Sequence, residues 1–142
     1  MAKVERSITI NSPVEKVFTY ISDPKNETEW IPSIIDAKDH TGSGVGQHWR
    51  WTYKMVGVRL EGETTVTEHI PNERRVIQTK GGVISTWTFT FKPHDGGTKL
   101  KMDIDYTIPI PVLGKLAEKL VLRRNEREAD LAMASIKDKM EE

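Results

Sequence analysis

Gln47-His48-Trp49-Arg50-Trp51-Thr52-Tyr53-Lys54-Met55 changes side-chain character at every step: Gln47, Trp49, Trp51, Tyr53 and Met55 share one parity, and His48, Arg50, Thr52 and Lys54 the other. Successive side chains of a strand point to opposite faces, so the stretch predicts a strand with a covered aromatic face and a wet charged one. The pattern continues downstream. Val58, Leu60, Gly62, Thr64 and Val66 alternate with charged residues and threonines up to the turn pair Pro71-Asn72. Arg74 to Lys80 is a weaker strand ending at Gly81-Gly82. Val83, Ser85, Trp87, Phe89 and Phe91 then alternate with Ile84, Thr86, Thr88 and Thr90, and Asp95-Gly96-Gly97 supplies a hairpin turn before Leu100, Met102, Ile104, Tyr106 and Ile108. Upstream, Ile34 to His40 and the Val4, Arg6, Ile8, Ile10 row add two more strands.

Two breaks from this period place helices. Ser12-Pro13-Val14-Glu15 reads as a helix start, with Ser12 as cap, Pro13 at the first helical position and Glu15 closing a capping box. Val14, Val17, Phe18 and Ile21 form its apolar face, and Pro24 stops it. A short polar helix or turn follows to Trp30. Past Pro109-Ile110-Pro111, a helix of about 25 residues runs from Val112 to about Met140, the expected length for a run free of breakers after Gly114. The order of strand, helix pair, meandering strands and long helix predicts one α+β domain over residues 1–142: a curved antiparallel sheet wrapped around the C-terminal helix.

Composition narrows the function. Lys plus Arg and Asp plus Glu both number 21, so no net field favours nucleic acid or an anionic membrane. The absence of Cys removes disulfides, thiolate metal sites and cysteine nucleophiles, and fits a reducing compartment, the cytoplasm. Met1 to Ser7 carries charges where an export signal needs an apolar run, and no stretch predicts stable membrane insertion.

The Ser12-Pro13-Val14-Glu15-Lys16-Val17-Phe18 helix, Ser22-Asp23-Pro24 with Trp30 beyond it, and Gly44-Val45-Gly46 opening the aromatic strand together resemble the START-like (SRPBCC, helix-grip) superfamily, most closely its polyketide cyclase/dehydrase-like branch. The likeness spans nearly the whole chain. It implies a sheet gripping the long helix and a hydrophobic cavity between them that takes lipids, polyketides or similar molecules, with no cofactor implied. Ligand and chemistry vary among members of such a fold.

On this reading Trp49, Trp51, Tyr53, Leu60, Thr64, Trp87, Phe89, Met102, Ile104 and Tyr106 line the concave face, where aromatics give apolar contact and their N–H and O–H groups offer polar handles. At about 100° per residue the long helix places Leu113, Leu116, Ala117, Leu120, Leu131 and Ser135 on one face together with Arg124, Arg127 and Glu128. The site expectation therefore adds Leu116, Leu120, Arg124 and Arg127, the arginines meeting a ligand's carboxylate or carbonyl or else pairing at an open edge. Trp30 either gates the cavity or fastens the short helix to the sheet.

Catalysis needs a positioned acid or base. Glu68, His69, His48, His40 and Glu128 are the candidates, and none forms a recognised spacing. Phase puts Glu68 inward near a strand end, where a rim salt bridge is expected, and puts His48 and His69 outward. The histidines are too dispersed for a metal site. Gly42-Ser43-Gly44-Val45-Gly46 joins strand to strand and lacks the helix N-terminus that would hold a phosphate. Three roles follow: binding or transport of a small hydrophobic ligand, a cyclase/dehydratase-type enzyme using the same cavity, and a protein-interaction module or homodimer acting through the exposed sheet edge.

Overall fold

The structure is a computed structural model, and it describes residues 2–55, 57–107 and 118–142. Seven strands make one antiparallel sheet: β1 (Ala2–Ile10), β2 (Ile34–Thr41), β3 (His48–Met55), β4 (Val58–Ile70), β5 (Arg74–Gly81), β6 (Ile84–His94) and β7 (Gly97–Thr107). Their order across the sheet is β1-β7-β6-β5-β4-β3-β2, so the chain meanders from β2 to β7 and β1 closes the far edge. Helix α1 (Val14–Ser22) and a 3-10 turn (Pro24–Asn26) lead into the one-turn helix α2 (Glu27–Trp30), and α3 (Glu118–Met140) is the long C-terminal helix. The expected start of that helix, and with it Leu113, Leu116 and Ala117, lies outside the described residues.

Alternation is what the sheet obeys. On β7, Leu100, Met102, Ile104 and Tyr106 are buried while Lys99 and Lys101 are exposed. Their direct partners on β6 are Phe91, Phe89, Trp87 and Ser85, so each inward residue stacks on an inward neighbour. The β6–β7 hairpin turns at Asp95 and Gly96, both at positive φ (48° and 81°), the pairing that a tight two-residue turn with the sheet's own twist requires. Helix α1 buries Val14, Val17, Phe18 and Ile21, the face that its sequence pattern gives. Phe18 meets Phe91 edge-on at 5.0 Å between ring centres.

Two local expectations are corrected. Ser12 does not cap α1: Pro13 is the cap residue, no side chain caps the helix, and Ser12 Oγ is buried without a partner. The Pro13 carbonyl accepts from the N–H groups of Lys16 and Val17, so the helix begins one residue later than the capping box needs. The stop is instead well capped, since Asp23 accepts from Lys25 N–H and starts the next turn. The second correction is the phase of β4, where the register against β5 shifts between Val66 and Glu68. A bulge adds one residue and exchanges the faces beyond it. Glu68 therefore pairs with Arg74 at 3.0 Å in a half-exposed bridge, and His69 turns in against Phe18, 5.1 Å between ring centres.

The phase of α3 also differs from the leucine stripe. Its buried residues are Val121, Ala129, Ala132, Met133, Ile136 and Met140, whereas Leu120 and Leu131 are about half exposed. Small side chains at 129 and 132 let the helix sit close to the sheet, and flexible methionines fill what remains. Fit, rather than side-chain size, selects the buried face. Arg6 to Asp130 at 2.6 Å and Lys137 to the Thr9 carbonyl at 2.9 Å tie the same helix to β1.

Candidate functional site

Between the concave face of the sheet and α3 lies a cavity of about 80 Å³. At roughly 10–15 Å³ per water position, that is room for a handful of waters. Of the residues expected on the concave face, Trp51, Tyr53, Thr64, Trp87, Met102, Ile104 and Tyr106 lie in its wall. Trp49 and Phe89 are buried behind it, and Leu60 packs in a separate small cluster with Val121. On α3, Leu120 and Arg127 are exposed on the outer surface and do not join the site, because the helix is turned away from the leucine phase. Trp30 is a fastener: it is 2% exposed and packs edge-on against Trp87 and Phe89.

The indoles in the wall are already committed. Trp51 Nε1 donates to Thr64 Oγ1 at 2.9 Å, and Trp87 Nε1 donates to Ser85 Oγ at 3.0 Å. Ser85 is held in turn by the Thr79 hydroxyl, 2.5 Å away. The tryptophans thus offer the cavity flat apolar surface, and their expected polar handles point into the sheet. Trp51 can lie flat because residue 62, its direct partner on β4, is glycine: a Cβ there would come within 2.5 Å of the indole.

A polar cluster meets the cavity wall at Tyr53 and Glu128. Tyr53 donates its hydroxyl to Glu128 Oε2 at 2.7 Å, and Arg124 Nη1 reaches the same oxygen at 2.6 Å. The other guanidinium nitrogen donates to Ser33 Oγ and, at 2.7 Å, to the Lys54 carbonyl, and the group lies 5.6 Å from the centre of the Tyr53 ring. Both Nη groups of Arg124 are therefore engaged by the protein. Glu128 Oε1 is buried and has no partner among the described residues. Burial, and next the Glu128 charge, hold the Tyr53 hydroxyl well above its usual titration range.

Glu27, at the start of α2, is the wall residue that its sequence context does not advertise. It is 5% exposed, lines the cavity and accepts from Trp49 Nε1 at 2.9 Å through Oε2. Behind the indole lies Arg75, 2% exposed, with its guanidinium 5.9 Å from the Trp49 ring centre. Arg75 donates to Gln47 Oε1 at 2.9 Å and to the Ser22 carbonyl at 3.3 Å, and lies 3.1 Å from His69 Nδ1. Gln47 continues to His40 at 2.7 Å. No carboxylate pairs with Arg75 within 4 Å among the described residues. Burial is the larger influence on both ends: it pushes the Glu27 carboxyl up to about 7, against the Trp49 hydrogen bond and the Arg75 charge, and lowers Arg75 to about 10. Burial and then the Arg75 charge also lower His69.

A signal for Arg75 exists in the sequence: it shares parity with Ile77 and Thr79 on β5, which places it inward. Glu27 has only its spacing to Trp30 and Ile31, three and four residues on, both buried.

A curved antiparallel sheet, a long helix across it and a cavity between them define a helix-grip domain. The chain belongs to the family described as polyketide cyclase / dehydrase and lipid transport, whose sequence profile matches residues 1–141. An uncharacterized 17.2 kDa protein of Streptomyces lincolnensis is 27% identical over 133 residues, 92% of this chain and 85% of that one. Among solved structures, TTHA0849 from Thermus thermophilus superposes with a TM-score of 0.84 at 18% identity, covering 98% of this chain and 97% of that one. The di-domain ARO/CYC protein StfQ of the steffimycin biosynthetic pathway gives 0.77 at 18% identity, over 98% of this chain and 50% of that one. What the chain shares with these two structures is the fold. No described helix is long and apolar enough to cross a membrane.

Proposed function

We propose that the chain binds a small, mostly apolar molecule in the cavity between its sheet and α3. The observation that carries the reading is the wall itself: flat aromatic and aliphatic surface whose indole N–H groups are satisfied internally, with carboxyl groups as its charged elements. Pockets of this make-up recognise apolar bodies and orient them by a few polar contacts. Family membership supports the same reading, and Trp51, Tyr53, Thr64, Trp87, Met102, Ile104 and Tyr106 are the contacts proposed.

Native mass spectrometry of the purified protein, before and after organic extraction, tests it. An adduct that extraction removes, together with displacement of an apolar dye by small lipids or aromatics, is the expected result. A bare mass and no dye binding would contradict it and favour a role at the sheet edge.

A reaction within the cavity is the second reading, favoured by Glu27: a buried carboxyl poised near neutrality in a cavity wall is suited to proton transfer. Turnover lost in Glu27→Gln with ligand binding retained would support it over simple binding.

A further inference from the structure

Among the described residues the cavity wall contains two carboxyl groups and no Lys, Arg or His. Arg124, bonded to the wall residue Glu128, makes its other hydrogen bonds to Tyr53, Ser33 and the Lys54 carbonyl. The polar bias of the cavity is thus toward accepting hydrogen bonds. Glu128 is held through Oε2 by two donors, and its Oε1 is occluded. Glu27 differs: Trp49 fixes Oε2 from behind, and Oε1 has no hydrogen-bond partner among the described residues although the side chain is buried and fronts the cavity. A ligand donor placed against this oxygen would form a hydrogen bond to a charged group, worth about 1.5–3 kcal/mol.

We infer that the cavity selects small molecules carrying an O–H or N–H donor, with Glu27 Oε1 as the receiving group, and that it excludes carboxylates. This rests on the binding role proposed above and names the ligand chemistry for it. A carboxylate would enter a site with acidic groups and, among the described residues, no cationic side chain in its wall, whereas an alcohol gains a hydrogen bond and an ammonium gains a charge-assisted one beside aromatic faces. Trp49 makes Glu27 a fixed receiver, because its N–H locks the carboxyl orientation before a ligand arrives.

The test is a calorimetric titration of the full chain at pH 8 with four probes on one skeleton: ethylbenzene, benzyl alcohol, benzylamine and benzoate. Benzyl alcohol and benzylamine should bind at least tenfold tighter than ethylbenzene, and benzoate should not bind. Glu27→Gln keeps an acceptor for Trp49 and should weaken benzylamine about tenfold relative to ethylbenzene. The ranking in the unmodified protein decides the matter even where the variant folds poorly. Ethylbenzene binding as tightly as both donors, or benzoate binding as well as benzylamine, overturns the inference and leaves the binding role standing. No binding by any of the four overturns both.

Discussion

Strand β3 carries two aromatic residues four apart, and each sits between an acid and an arginine. Tyr53 donates to Glu128 and lies under Arg124; Trp49 donates to Glu27 and lies under Arg75. At the Tyr53 end the acid and the guanidinium touch, 2.6 Å apart, with the arginine side chain 23% exposed. At the Trp49 end the indole stands between them, both are buried, and no ion pair forms. The same three kinds of group therefore give a closed ion pair in one place and an isolated carboxyl in the other. Contact decides between them: a touching pair offsets desolvation, while charges separated by a ring offset only part of it.

Removing Arg75 tests the buried end hardest. Arg75→Ala deletes a buried cation with several hydrogen-bond partners, and hydrogen bonds to charged groups contribute about 1.5–3 kcal/mol each. Urea denaturation should show a loss of about 4 kcal/mol, and the Glu27 midpoint should rise above 7. A loss under 1 kcal/mol would mean that the guanidinium is not held as described.

Next is the pH dependence. Glu27 binds its proton more tightly in the folded state, with a midpoint near 7 against an ordinary 4.5. Its contribution to stability is therefore greatest at low pH and is lost as pH rises from 4.5 to about 7, by about 3 kcal/mol in all. Glu27→Gln should lack that fall. Denaturation of both proteins at pH 4.5 and pH 8 measures it, and parallel pH profiles would count against an isolated carboxyl.

Gly62→Ala probes the surface between the two ends. Its Cβ would approach the Lys80 carbonyl at 2.4 Å as well as the Trp51 ring, so destabilisation of about 1–3 kcal/mol and weaker dye binding are expected. At the Tyr53 end, Glu128→Gln should cost only about 1–2 kcal/mol in the same assay, since Arg124 keeps Ser33 and the Lys54 carbonyl. Leu120→Ala and Arg127→Ala, on the outer face of α3, should change stability by less than about 0.5 kcal/mol and leave ligand binding unchanged.

The sheet is legible in the sequence because it is wet on one side: a strict period of two survives wherever one face must be covered, as in Trp49, Trp51 and Tyr53. The bulge after Val66 is not, since one extra residue leaves composition unchanged while it exchanges Glu68 and His69 between faces. The buried face of α3 is hidden behind its leucines, because close approach to the sheet selects alanine at 129 and 132. The site is legible as an aromatic wall, but not as a polar one. Glu27 stands in a helix of four residues, too short for a periodic pattern, and the Arg75 behind the intervening Trp49 comes from a strand 48 positions further along the chain.

Glu27 stands as an isolated carboxyl facing the cavity. Carbon-13 NMR of side-chain-labelled glutamate, followed from pH 3 to 9, tests it directly. One carboxyl resonance should titrate with a midpoint near 7, vanish in Glu27→Gln and shift when benzylamine is added. If every glutamate instead titrates below about 5, the carboxyl is either paired or open to water, and the claim fails.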